Sequence, residues 1–215
     1  MIRFATKNDL NDLAKAHSAA FPKSFTTQVG LNFVRKTLEW YLTDDKKFLL
    51  CVEEDHKAIG YCGCLMVDGN TDMGSTSAMI QYAFKEAVKG LLMKPWLFFH
   101  PELSRNYKLI FKNIKRKIFP PKKNNNPVKK VENNAKKREK SVGIVGIGIL
   151  PAYYSKGYGS QLIMAAEKES LNRGFKQMHL TVRNDNERAI RSYTRNGWVR
   201  ERVDKITCLM TKQLS

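Results

Sequence analysis

Residues 142–149, VGIVGIGI, carry no charge, and PAYYSKGYGSQL, residues 151–162, carries one cation and two glycines. The uncharged run ends at a proline and reads as a buried strand. Leu162, Ile163, Ala166 and Leu171 then recur at helical spacing, which predicts a helix over 157–173 with these four inward and Gly174 as its stop. A strand, a glycine turn and a helix in that order constrain the chain more than any other feature. The first N–H groups of a helix starting at Gly157 have no partner within it and carry partial positive charge from the helix dipole. Without a Cβ at Gly157 and Gly159, a guest can come close to them. A phosphate or pyrophosphate is the guest that suits such a turn, and Lys156 adds a cation. The spacing is neither that of a nucleoside-triphosphate loop nor the three-glycine dinucleotide pattern, and a close-packed turn with no ligand fits these residues as well.

The rest of the chain has an α/β order. IRFAT is a first strand. KNDLNDLAKAHSAAF is a helix capped by Thr6 or Asn8 and stopped by Pro22. TQVGLNFVRKTLEWYLTDD reads as one further helix, and KFLLCVEED and AIGYCGCLMVDG as a hairpin turning at His56-Lys57. STSAMIQYAFKEAVKGLLM reads as helical and PPKKNNNPVKKVENNAKKREK as a polar linker. KQMHLTVR alternates as a strand. NERAIRSYTRN is a helix with Ala189, Ile190 and Tyr193 on one face, ended by Gly197, and two short strands close the chain.

The 215 residues, 42% apolar, suffice for one core. We expect one domain over 1–215 that includes a basic helical insertion over 70–140 with a flexible linker near 120–140. The net charge of +18 sits mainly there: residues 85–140 hold 17 Lys and Arg against 4 acids. No run of about 18 apolar residues suggests a membrane span, and MIRFATKNDL lacks the apolar stretch of a secretory signal. The expected location is the cytoplasm, with peripheral contact at the inner membrane face as an added option. Cys62 and Cys64 lie two apart on one strand, on one face. With Cys51 and Cys208 they are expected to be reduced and half-buried, with no metal site.

The stretch ILPAYYSKGYGSQLIMAAEKESLNRGF…LTVRNDNERAIRSYTRNGW resembles the acetyl-CoA-binding half of the GCN5-related N-acetyltransferases (GNAT). In that family a strand ending Val-x-Pro leads into Gln/Arg-x-x-Gly-x-Gly/Ala, matched here by Tyr154, Ser155, Lys156, Gly157, Tyr158 and Gly159. The family's Asn-x-x-Ala-x-x-x-Tyr-x-x-x-Gly-Phe is matched by Asn186, Ala189, Tyr193, Gly197 and, conservatively, Trp198. The resemblance spans about residues 142–200. It implies a mixed central sheet flanked by helices, α/β in class, with the insertion between the third and fourth strands. It implies acetyl-CoA as cofactor and CoA as product. The backbone of Ile147, Gly148 and Ile149 would hold the pantetheine arm, Tyr154–Ser160 the pyrophosphate, Asn186 the arm from the next junction, and an amide such as that of Ile149 would face the thioester oxygen. Tyr193 would give a proton to the leaving thiolate. The chain departs from the family in having Tyr154 where Gln or Arg is usual, and in lacking a strand acid where relatives often place a Glu as base.

Glu53, Glu54, His17 and Asp68 are the candidate bases; His17, Phe21 and Glu53 are the candidate acceptor contacts. AHSAAFPKSFTTQVGLNFVRKTLEWYL is similar, more loosely, to a subgroup of these enzymes linked to bacterial surface-polysaccharide synthesis. That similarity implies an amino-sugar acceptor, nucleotide-linked or lipid-linked. The amine of an amino sugar is less basic than lysine near 10.4 and tolerates a missing base better. No cysteine sits in the glycine turn or the Tyr193 helix, so transfer is expected to be direct. For the basic segment three readings stand: a solvated cover over the acceptor side, an element on an anionic membrane built from Trp96, Phe98, Phe99, Tyr107, Leu109, Phe111, Ile114, Ile118 and Phe119 among cations, or a polyanion site. Nucleic acid is disfavoured, since no nucleic-acid motif is present. Transfer to a protein or peptide amine, and a binding module that keeps the fold without catalysis, are the rival functions.

Overall fold

The computed structural model describes residues 1–67, 75–102 and 140–215. In chain order the strands are β1 (Ile2–Phe4), β2 (Lys47–Glu54), β3 (Lys57–Val67), β4 (Ser141–Ile149), β5 (Gln177–Arg183), β6 (Val199–Val203) and β7 (Thr207–Gln213). The α-helices are α1 (Leu10–Ala20), α2 (Phe25–Val29), α3 (Leu31–Glu39), α4 (Ser75–Tyr82), α5 (Phe84–Met93), α6 (Tyr158–Asn172) and α7 (Glu187–Arg195). The strands form one sheet in the order β1-β2-β3-β4-β5-β7-β6. Only β4 and β5 run parallel; every other neighbouring pair is antiparallel.

The apolar run of β2 follows from burial on both faces. Phe48, Leu50 and Val52 pack with Leu162, Ile163 and Ala166 of α6. Leu49 and Cys51 pack with Leu10, Leu13 and Ala14 of α1 and Val34 and Leu38 of α3. The sheet is thus held between α6 on one side and α1 with α3 on the other. A buried carboxylate ties the far end together: Glu167 of α6 accepts from the Trp198 indole at 2.9 Å and from the Lys212 ammonium of β7 at 2.7 Å. Lys212 also donates to the Asn196 carbonyl at 2.7 Å, which anchors the end of α7.

Several local expectations need correction. The helix predicted over 27–45 is two helices, because Gly30 takes φ +140°, which breaks the helical path. Its first part starts earlier, where the Ser24 hydroxyl accepts from the Thr27 N–H at 3.2 Å. The helix predicted over 75–93 breaks at Ala83, which is buried in a small cluster with Val29, Phe33, Ala87 and Leu97. The hairpin turns one residue early, at Asp55 and His56, both at positive φ. Leu171 is exposed, and Ser170 takes the inward place, its hydroxyl donating to the Ala166 carbonyl at 2.7 Å. The cysteines are fully buried rather than half-buried. Cys62 and Cys64 do share a face, with sulfurs 3.8 Å apart, well beyond a disulfide bond. Thr6 caps the 3-10 turn Lys7–Asp9 that leads into α1, its N–H donating to Asp9 at 2.7 Å, while Asp9 is the N-cap of α1 itself.

Two contacts join the α1–α3 layer to β3. The Tyr41 ring lies over Gly63, where a Cβ would sit 2.4 Å from it. His17 of α1 places Nδ1 2.6 Å from the Tyr61 hydroxyl, while its Nε2 is buried without a partner among the described residues. Burial lowers the His17 imidazole from 6.5 to about 4.

Gly63→Ala should therefore cost about 1–3 kcal/mol, read by urea unfolding, because Tyr41 is buried and has nowhere to move. An unchanged midpoint would show that the ring yields. The unfolded chain protonates His17 near pH 6.5 and the folded chain near 4, so the stability it carries is complete above pH 6.5 and is lost as pH falls through 4. At full expression that amounts to roughly 3 kcal/mol. His17→Gln should lose less stability than the wild type between pH 7 and 4.5; equal losses would remove His17 as the source.

Candidate active site

β4 and β5 pair over three residues only: Val142 with Met178, Gly143 with His179 and Ile144 with Leu180. At the next residue β4 bulges. Cys64 opposes Ile144 while Gly63 opposes Gly146, so Val145 is the extra residue. From there β4 continues along β3 to Ile149 and β5 continues along β7 to Arg183. The two strands part, and one edge of residues 145–149 has no strand beside it. The Leu150 N–H bonds to the Ile59 carbonyl on β3 at 2.8 Å. Since N–H directions alternate along a strand, those of Ile149 and Ile147 point to the open side.

The wedge opens into a groove of about 400 Å³. One wall is β4, from Ile147 to Ile149. The floor is the glycine turn with the start of α6. The other wall is α7. In the turn, Ser155 has φ +64° and Gly157 has φ +83° as the helix N-cap, so the helix begins at Tyr158, one residue later than predicted. The first helical bond runs from the Gln161 N–H to the Gly157 carbonyl at 3.1 Å, so the amides of residues 158–160 have no helical partner. A Cβ at Gly157 would meet nothing nearer than 3.9 Å, and one at Gly159 nothing nearer than 3.7 Å. The space over these amides is open, and no acid lines the groove among the described residues. Free donors, open space and no negative charge fit a diphosphate.

Of the predicted cofactor residues, Ile147, Gly148, Ile149, Tyr154, Ser155, Gly157, Tyr158, Gly159, Ser160 and Asn186 all line the groove. Lys156 does not; its ammonium lies 4.9 Å from the Tyr153 ring. Asn186 is also the cap of α7, its carbonyl oxygen accepting from the Ala189 N–H at 3.2 Å. Tyr193 lines the groove from α7, packed at 5.9 Å on Trp198, and burial raises its phenol above the usual value. Asn196 donates to the Ser160 hydroxyl at 3.0 Å, joining the end of α7 to the start of α6.

At the other end of the groove stand Ala20 and Phe21. Gly148 admits the Phe21 ring, since a Cβ there would lie 2.9 Å from it and 3.1 Å from Tyr61. His17 lies one turn behind, its ring 5.1 Å from that of Phe21, and does not line the groove. Glu53 is also off the groove, bonded to Arg3 at 2.6 Å, and Arg3 binds Asp9 as well. Glu54 accepts from the Tyr158 hydroxyl at 2.8 Å. Asp68 lies outside the described residues, as do Tyr107, Leu109, Phe111, Ile114, Ile118, Phe119 and the linker. Sequence reasoning missed Arg188, Ser192 and Arg195, which line the groove from α7. Their spacing of four and three was the available signal, one stripe of the helix that carries Tyr193.

The model of the acetyltransferase (GNAT) family matches residues 122–198. No curated protein matches the chain. Among solved structures, the PaiA N-acetyltransferase from Thermoplasma acidophilum in complex with coenzyme A superposes with a TM-score of 0.54 at 12% identity, covering 99% of this chain and 98% of that one. The ribosomal-protein-S18-alanine N-acetyltransferase from Escherichia coli gives 0.56 at 13%, covering 100% and 94%. YncA from Salmonella typhimurium with its cofactor acetyl-CoA gives 0.56 at 15%, covering 100% and 94%. These structures share the fold over nearly the whole of this chain, and the family model matches its residues 122–198.

Proposed function

We propose that the protein transfers an acetyl group from acetyl-CoA directly to a primary amine, an amino sugar being the acceptor class the groove favours. The observation that carries this is the free edge of β4 running into the anion-ready turn, with Tyr193 beside it. When bound, the cofactor supplies the acyl group as an activated thioester. The N–H groups of Ile147 and Ile149 face the arm as a neighbouring strand would. The amides of the turn take the diphosphate. The Asn186 NH2, left free by its capping oxygen, steadies the arm. In the transfer a C–N bond forms and the C–S bond breaks; the amine gives up a proton and the sulfur gains one. Tyr193 donates that proton. Burial keeps its phenol protonated throughout the working range, and its hydroxyl has no protein partner among the described residues to compete.

The acceptor enters from the side of Ala20 and Phe21. Among the described residues no carboxylate lines that end: Glu53 is held by Arg3 and Glu54 by Tyr158. An amine that must shed its proton unaided has to be partly neutral already, as an amino sugar is and lysine is not. A protein N-terminal amine, near 7.7–8.0, meets the same condition and is the second reading; a structural neighbour acts on a ribosomal-protein alanine. Leu92, Met93, Trp96, Phe98 and Phe99 stand exposed together on and after α5, with Lys85 and Lys89 alongside. We read this face as the contact with an anionic lipid surface, which would bring the site to a lipid-linked acceptor.

A screen of nucleotide amino sugars, N-terminal peptides and polyamines for CoA release should single out the amino sugars; release with peptides alone would favour the second reading. Tyr193→Phe should lower kcat on the order of 10²-fold with little change in CoA affinity, and unchanged turnover would remove Tyr193 as the acid. Gly157→Val should weaken CoA binding in calorimetry, through both the strained backbone at φ +83° and the crowded turn. Vesicles rich in anionic lipid should sediment the protein, and Trp96→Ser with Phe99→Ser should release it.

A further inference from the structure

Resting on CoA as the occupant of the groove, the geometry points to a second phosphate site on α7: Arg188 and Arg195, with Ser192 between them, hold the 3′-phosphate of the cofactor's adenosine. The three side chains stand at positions i, i+4 and i+7, so they form one stripe down the helix, about 10 Å long, and all three line the groove.

Their charge is uncompensated. Arg3, Arg173, Arg183, Arg191 and Arg202 each have a carboxylate partner. Arg188 and Arg195 have none among the described residues. The Arg188 guanidinium lies 3.8 Å from the centroid of the Tyr154 ring, a contact that covers its face and leaves its edge N–H groups free. Arg195 makes one long bond, at 3.4 Å, to the Arg191 carbonyl. Arg191 sits on the same helix off the groove and pairs with Glu187 at 2.9 Å. Among the described residues the helix therefore neutralises its outward arginine and leaves its two groove-facing ones without a carboxylate, in a groove that no described acid lines.

The cofactor has two kinds of phosphate. The diphosphate bears one charge per phosphorus and is met by the neutral donors of the turn. The 3′-phosphate is a monoester with a charge of about −1.5 to −2 at pH 7, and forked guanidinium donors suit it best. The bond from Asn196 to Ser160 sets the Arg195 end of the stripe beside the tip of α6. The stripe thus flanks the diphosphate turn without replacing any of its donors.

The test is calorimetric binding of CoA and of 3′-dephospho-CoA to the whole protein. The wild type should bind CoA roughly ten- to a hundredfold more tightly than the dephospho form. In Arg188→Gln/Arg195→Gln the two ligands should bind alike, with the dephospho affinity unchanged. Arg191→Gln, which breaks an outward pair on the same helix, should keep the wild-type preference. Equal binding of both ligands by the wild type would overturn the assignment, and so would a double variant that weakens both by the same factor, since the arginines would then serve the diphosphate. Both results leave CoA in the groove. Failure of either ligand to bind the wild type would instead bring down the cofactor reading and this site with it.

Discussion

The parting of β4 from β5 is the constraint on which the rest of the molecule depends. Buried backbone N–H and C=O groups need partners, and a sheet that opens in its middle gives some of them up. Here the loss is confined to one edge. β4 keeps its full ladder with β3 and loses β5 only after Ile144, at the bulge on Val145. A ligand with the backbone-like amides of a pantetheine arm suits an edge of this kind. The opening is held at a set width because both strands are fixed elsewhere: β3 between two cores, and β5 against β7 along its whole length.

The two walls of the groove are braced in different ways. The α7 wall is locked by polar bonds, from Trp198 and Lys212 to Glu167 and from Asn196 to Ser160. The β4 wall is apolar and packs on α1, where Gly148 makes room for Phe21. Helix α5 packs behind that end. Gly90 lies against Val29, where a Cβ would come within 2.4 Å of it, and the Lys94 ammonium donates to the Gln28 carbonyl at 2.7 Å.

Two departures from the family pattern have counterparts in the structure. Tyr154 replaces the usual Gln or Arg, and its ring lies against the Arg188 guanidinium of α7. The strand acid is missing, and the nearby carboxylates of β2 are already engaged by Arg3 and Tyr158. No carboxylate lines the groove among the described residues.

The elements of the cofactor half were legible in the sequence because their signals are local: an uncharged strand, glycines at the turn, helical spacing after it, and Asn186 with Tyr193 one helix later. The same holds for the hairpin and the closing strands. Helix breaks were less legible. Gly30 and Ala83 interrupt runs whose periodicity alone reads as continuous, and only packing against neighbours decides where such a run divides. The groove-facing arginines were visible as a stripe, but which side of α7 met the turn was not. Residue types and spacing thus determined that a phosphate-ready helix tip follows a buried strand. Tertiary structure decided that β4 separates from β5 behind it, that Glu53 is spent on Arg3, and that His17 is shut behind Phe21, because these depend on contacts between residues far apart in the chain.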